Sequence, residues 1–254
     1  MKTIVIGDIH GRSQWKLIVE TEKADQVIFI GDYFDSYDLT AVEQMHNFKE
    51  IINYKETTDA HVTMLIGNHD YHYYPEIGNV GTSGYQTKSA PAISQLIDEN
   101  RNHLQMAYSI DDYLFTHAGV SSEFMDNVFG KDGWKAEDIS ALLNEQFWHK
   151  PRTFDFGMAI DMEKMWYLDP SGDSKGQSPI WIRPKSLMSV NRDTLRKQVI
   201  QIVGHTQMNQ LDVEGSQNWT GGRYYFIDTL DTSGEYLIIE DGVISSNTWK
   251  SKKK

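Results

Sequence analysis

The sequence predicts an α/β domain with a mixed or two-sheet core, and three observations carry that expectation. Early in the chain, continuous apolar runs alternate with stretches of helical periodicity, the pattern of sheet strands covered by helices. Late in the chain, strand signals follow one another, and the last run turns back at Asp241-Gly242. The 254 residues are 39% hydrophobic and 24% charged, so a packed core is attainable and wholesale disorder is not expected.

Residues 3–6 (TIVI) form a β-branched strand, and residues 12–24 place Trp15, Ile18 and Val19 at helical spacing. Residues 27–30 (VIFI) make the second strand. Residues 40–54 read as a helix with Val42, Met45, Phe48, Ile51 and Ile52 on one face, and residues 62–66 (VTMLI) are the third strand. The Gly-, Ser- and Thr-rich stretch 78–90 is a loop. Short strands at 104–109 and 113–116 meet at Asp111-Asp112 as a hairpin. From about 121 to 180 the chain is rich in Trp, Phe and Asp and reads as a cap inserted over the main sheet, its tryptophans packing the cap itself. Strands return at 199–203, 224–228 and 236–244. Neither an internal repeat nor a low-complexity linker interrupts the chain, so residues 1–254 are expected to form a single domain.

The formal net charge is −12, from 24 basic and 36 acidic residues. Such a surface argues against non-specific binding to nucleic acid or anionic membranes. With no cysteine, disulfides and thiolate catalysis are excluded, and any metal must be held by oxygen and nitrogen. The apolar run before Gly7 is too short for a signal peptide, and no stretch approaches the ~18 apolar residues of a membrane span. A soluble, cytoplasmic protein is expected, with the terminal SKKK as a solvated tail.

The strand ends carry the chemistry. The first three read Gly7-Asp8-Ile9-His10-Gly11, Gly31-Asp32-Tyr33-Phe34-Asp35 and Gly67-Asn68-His69-Asp70. Two later strands end in Thr116-His117-Ala118-Gly119 and Gly204-His205-Thr206. Glycine and aspartate suit turns, which would explain one such ending but not an ordered set. In open α/β sheets the ligand crevice lies beyond the carboxyl ends of the strands, so these donors should converge there. Asp8, His10, Asp32, Asn68, His117 and His205 suit hard-to-borderline divalent ions, manganese first, with iron, zinc or nickel as alternatives. Six protein ligands exceed what one ion with an open position takes. They suit two ions ~3.5–4 Å apart that share a carboxylate.

GDIHG, GDYFD, GNHD, THAG and GHT, in this order over residues 7–206, resemble the calcineurin-like metallophosphoesterase superfamily. The THAG form and Ile180-Trp181-Ile182-Arg183-Pro184 resemble its serine/threonine phosphoprotein phosphatase group, which includes bacterial diadenosine-tetraphosphate hydrolases. The resemblance implies a four-layer αββα sandwich of two mixed sheets with metals at the strand ends. It also implies that Asp8 and His10 hold one ion, that Asn68, His117 and His205 hold the other, and that Asp32 bridges them. A metal-bridging hydroxide then attacks phosphorus, with His69 as general acid or leaving-group stabiliser and Asp35 as its orienting partner.

Two departures stand out. The phosphoprotein phosphatase pattern GDxxDRG carries a phosphate-gripping arginine, whereas this chain reads Asp35-Ser36-Tyr37. Arg183 is the first candidate to replace it and Arg12 the second, although Arg12 also suits a surface position at a helix start. Gln207 stands where many superfamily members have a further histidine, which the phosphoprotein phosphatase group generally lacks. His46, His61, His72, His103 and His149 lie outside the motifs and are expected to be structural or solvated; Tyr71, Tyr73 and Tyr74 line the cleft or pack beneath it. The sequence therefore points to a phosphatase of phosphomonoesters, including phosphoserine and phosphothreonine in proteins. A dinucleoside-polyphosphate hydrolase is the alternative. A metal-free interaction scaffold should have lost ligands, and none of the six is lost.

Overall fold

Side-chain alternation in the first three strands decides the layering. Strand β1 (Lys2–Ile6) sends Ile4 and Ile6 into one apolar cluster and Val5 into another. Strand β2 (Gln26–Phe29) divides Val27 and Phe29 from Ile28, and β3 (His61–Leu65) divides Val62 and Met64 from Leu65. Successive side chains of a strand point to opposite faces, so a strand buried on both sides must be apolar throughout. The computed structural model describes residues 1–79, 83–157, 173–190, 195, 199–211 and 223–250.

Helices cover the first face. Helix α1 (Gln14–Glu22) buries Trp15 and Ile18, and α2 (Ala41–Thr57) buries Phe48, Ile51 and Ile52. Helix α2 starts at a capping box, in which Thr40 and Glu43 each accept the other's backbone N–H. Val42 departs from expectation: it is 71% exposed, because at 100° per residue it lies about 120° around the helix from Phe48. After the single turn α3 (Asn68–Tyr71), α4 (Ala90–Glu99) adds Ile93 and Ile97 to the same cluster.

The run 104–109 is not one strand. Strand β4 (Leu104–Gln105) pairs with β3, whereas β5 (Ala107–Ile110) pairs with β6 (Tyr113–Thr116) in a second sheet. The crossing at Met106 is held by Asn144. Its Oδ1 accepts from the N–H groups of Met106 (2.8 Å) and Ala107 (3.0 Å), and its Nδ2 donates to the Ala107 carbonyl. Asn144 lies on α6 (Ile139–His149), which follows α5 (Ser122–Phe129). The described part of the expected cap contributes Phe124, Met125, Leu143, Phe147 and Phe154 to the cluster shared with α2 and α4. Residues 158–172 of that cap, and the terminal SKKK, lie outside the described residues.

Helix α7 (Pro184–Val190) precedes β7 (Ile200–Val203) and β8 (Tyr224–Phe226); the run 224–228 thus stops pairing before Asp228. Strands β9 (Glu235–Glu240) and β10 (Val243–Thr248) form the expected hairpin, turning through Asp241 and Gly242, both at positive φ. The first sheet runs β10-β9-β1-β2-β3-β4 and the second β5-β6-β7-β8, each mixing parallel and antiparallel pairs. Val5, Ile28 and Leu65 meet Phe115, Ile202 and Tyr225 between the sheets, and Leu187 of α7 packs with Tyr224 on the outer side. These are the two mixed sheets between helical layers that were expected. No helix among the described residues is long and apolar enough to cross a membrane.

Replacing Asn144 with alanine leaves two backbone N–H groups at the sheet crossing without their acceptor. Asn144→Ala should destabilise the fold by about 2 kcal/mol in urea unfolding, with little change in the m-value.

Candidate metal centre and active site

Register brings the motif turns to one edge. Ile6 pairs with Phe29 and Phe29 with Met64, so the turns after β1, β2 and β3 leave the first sheet side by side. In the second sheet Phe115 pairs with Ile202 and Val203 with Phe226, which places His117, His205 and Asp228 beyond neighbouring strand ends. The two edges face a common cleft of about 310 Å3, lined in part by Asp8, His10, Asp32, His69 and His205. Asn68 and His117 are buried and reach it through their neighbours: Asn68 Oδ1 is 2.8 Å from His205 Nδ1, and His117 Nε2 is 3.3 Å from Asp32 Oδ2. All six expected metal donors therefore converge.

The backbone fixes which imidazole nitrogen faces inward. A carbonyl only accepts, so His10 Nδ1 donates to the Phe34 carbonyl (2.6 Å), His117 Nδ1 to Ile30 (3.1 Å) and His205 Nε2 to Trp181 (3.2 Å). In the neutral form that a metal ligand requires, the second nitrogen of each ring carries a lone pair. His117 Nε2 points at Asn68 Oδ1 (2.9 Å), as does His205 Nδ1, and His10 Nε2 lies 3.8 Å from Asp32 Oδ2. Acceptors facing acceptors at these distances call for cations between them, so the residues fit a metal centre. Asp8, His10 and Asp32 bring ligand atoms within 4.8 Å of one another.

Electrostatics say the same. Burial, with Asp228 and Asp32 nearby, pushes the Asp8 carboxyl well above its ordinary range. Asp228 is pushed up to about 6 by burial and by Asp32. Burial would also raise Asp32, but His117, His69 and His10 outweigh it and hold this carboxyl well below its usual range. Burial keeps His10 below the usual imidazole value, and burial with His117 and Arg183 keeps His205 far below it, which favours the neutral, ligating form.

Asp70, to which the motif assigns no ligand role, organises two turns. Its Oδ2 accepts from Asp32 N (2.7 Å) and Gly67 N (2.9 Å), and its Oδ1 from Tyr33 N (2.7 Å). His69 N in turn donates to Asp32 Oδ1 at 2.9 Å. Gly67 is needed for close approach, since a Cβ there would lie 2.1 Å from that same Asp32 oxygen. His10, Asp32, Asp35 and His205 all adopt positive φ, a costly conformation for residues with a Cβ and one that gathers at functional sites.

His69 and Asp35 meet as expected, with Nδ1 2.9 Å from Oδ2. Burial opposes protonation of His69, but Asp32 and Asp35 outweigh it and raise its pKa. Arg183 donates through Nη1 to the His205 carbonyl and to Thr206 Oγ1 at 3.1 Å each, which sets its guanidinium at the cleft wall. Arg12 also lines the cleft but is paired through two nitrogens with Asp231, at 3.0 and 2.9 Å. Ser36 and Tyr37 reach the same cleft, Tyr37 being 78% exposed, and Gln207 stands on its wall. Tyr71, Tyr73 and Tyr74 are buried rather than lining the opening.

Sequence reasoning missed three participants. Asp228 follows an apolar run as Asp8 and Asp32 do, but without the preceding glycine. Asp70 was visible inside GNHD, and nothing in its spacing revealed that it accepts backbone donors from another turn. His72, expected to be structural or solvated, is fully buried with Nε2 2.7 Å from Asp35 Oδ2.

The family model described as calcineurin-like phosphoesterase matches residues 1–225. A cold-active protein-tyrosine phosphatase from a psychrophilic Shewanella species superposes with a TM-score of 0.61 at 16% identity, covering 98% of this chain and 78% of the other. A protein serine/threonine phosphatase from Saccharomyces cerevisiae gives 0.57 at 14% identity, covering 98% and 80%. At these identities the likeness is one of fold. Comparison with curated protein sequences finds no match.

Asp70→Asn turns one acceptor into an N–H donor that faces backbone N–H groups. It should cost about 2–3 kcal/mol in stability and weaken manganese binding at least about tenfold by titration calorimetry.

Proposed function

The chain belongs to the calcineurin-like phosphoesterase family and is a metal-dependent phosphoester hydrolase; from this premise we propose a dinuclear, manganese-preferring phosphatase of phosphomonoesters, including phosphoserine and phosphothreonine in proteins. The observation that carries the dinuclear reading is Asp32 Oδ2. It faces His10 Nε2 at 3.8 Å on one side and His117 Nε2 at 3.3 Å on the other, so one carboxylate borders both donor sets. Asp8, His10 and Asp32 would hold one ion; Asp32, Asn68, His117 and His205 would hold the second. When bound, two such ions supply Lewis acidity toward phosphoryl oxygens and acidified water near neutral pH.

The remaining steps belong to side chains. Arg183 takes the phosphoryl group at the cleft wall, in place of the arginine that the Ser36 position lacks, since a guanidinium offers a planar fork to phosphate oxygens. Asp35 holds His69 Nδ1, which leaves Nε2 to hand its proton to the departing oxygen as the P–O bond breaks. Among the described residues, Arg183 is the one arginine of the cleft without a carboxylate partner. That single grip favours one phosphoryl group over a polyphosphate chain.

The deciding assay offers manganese-loaded protein a phosphothreonine peptide and diadenosine tetraphosphate in parallel, with Asp32→Asn as blank. Inorganic phosphate from the peptide is expected; nucleotide release alone would overturn the phosphomonoester reading. His69→Asn should lower kcat by about 100-fold or more with metal content intact. Arg183→Ala should raise KM about tenfold with a smaller effect on kcat, as measured by steady-state kinetics.

A further inference from the structure

The side chain of Asp35 is fully buried, with His69, His72 and Tyr73 set against its two oxygens. Its Oδ2 lies 2.9 Å from His69 Nδ1 and 2.7 Å from His72 Nε2, and its Oδ1 accepts from the Tyr73 hydroxyl at 2.5 Å. A carboxylate held through one oxygen still turns about its terminal bond. With both oxygens engaged it is fixed in plane and in rotation. Asp35 also sits at φ +63°, a backbone state that persists only where surrounding contacts over-determine it.

Those contacts extend outward in order. The Tyr73 hydroxyl accepts from Gln86 N at 2.9 Å. The Tyr85 ring stacks on Tyr73 with centroids 5.0 Å apart and 15° between planes, and stands edge-on to His72 at 4.7 Å. His72 in turn meets Tyr73 edge-on at 4.5 Å. Gly84 brings the same segment against Asp35: a Cβ there would lie 3.1 Å from both the Asp35 carbonyl oxygen and its Cβ. The segment around 84–86 is thus packed onto the far side of the pair formed by Asp35 and His69.

We propose that Tyr73 and His72 are positioning residues for proton donation: they lock the Asp35 carboxylate, with Tyr85 and Gln86 as their backing, and so aim the His69 ring at the leaving oxygen. The proposal rests on the reading of His69 as the proton donor. It assigns a role to two side chains outside the six donors and outside the cleft lining. Their removal should matter in proportion to how badly the leaving group needs a proton. A merely structural role would slow every substrate alike.

The test compares kcat and KM of manganese-loaded protein on two substrates. 4-Nitrophenyl phosphate departs as a stabilised anion and needs little proton donation, whereas the seryl oxygen of a phosphoserine peptide needs a full proton. Tyr73→Phe removes one hydroxyl and should lower kcat about tenfold on the peptide and less than about twofold on the aryl ester, with KM unchanged. His72→Gln should shift the two substrates in the same sense, and it carries the test if thermal unfolding shows that Tyr73→Phe is not folded. Equal losses on both substrates, or no loss on either, would overturn the proposal. His69→Asn is measured alongside. If it discriminates between the substrates while the Tyr73 and His72 variants do not, the positioning inference alone falls. If His69→Asn itself fails to discriminate, the proton-donor reading falls and this inference with it.

Discussion

The carboxylate of Asp70 collects the backbone N–H groups of Asp32, Tyr33 and Gly67, and so ties the turn after β2 to the turn after β3. Buried N–H groups must find acceptors, and one side chain with two accepting oxygens meets this need for two separate turns at once. Through this bond Asp32 is held at a positive φ with Oδ1 accepting from His69 N and Oδ2 turned toward His10 and His117. Asn68 and His69 lie between the two residues that Asp70 bonds to or belongs to, so their directions follow as well. The opening residue of α3 is thus placed by a side chain that does not itself line the cleft.

The centre so assembled is electrically incomplete as a chain of amino acids. Asp8, Asp32 and Asp228 are buried close together, and the arginines nearby are directed to Asp231 or to neutral oxygens. In the neutral, ligating form, imidazole lone pairs point at oxygens instead of N–H groups. Each arrangement is costly alone, and each is relieved by divalent cations. Metal binding is therefore coupled to stability: free energy spent on holding acceptors together is recovered when ions arrive.

Much of this was legible because strand ends in α/β sheets are conspicuous in one dimension. An apolar run, a glycine and a donor mark each turn, and the order of five such endings indicated both the fold and the six converging donors. The pairing of Asp35 with His69 came instead from the family resemblance those endings carry. What escaped was anything set by packing between distant turns. Met106 looks like the middle of a strand, yet it crosses between sheets because Asn144, 38 residues away, accepts its N–H. Asp70 and His72 sit beside recognised residues, but their partners in the turn after β2 lie 37 or 38 positions earlier in sequence, beyond the reach of local spacing. Arg12 and Arg183 looked alike as cations; only the position of Asp231 tells them apart.

Strand β1 lies between β2 and β9 in the first sheet, and Asp8 receives the backbone N–H of His205, 197 residues downstream. Closing so long a loop is slow relative to local helix or hairpin formation. During synthesis, Asp8, His10, Asp32 and Asn68 emerge well before the histidine that completes their set, and the strand that flanks β1 emerges later still. A growing chain of this design therefore has no finished centre with which to sequester metal or cleave phosphoesters, and competence arrives only when the second sheet and the β9–β10 hairpin have been made.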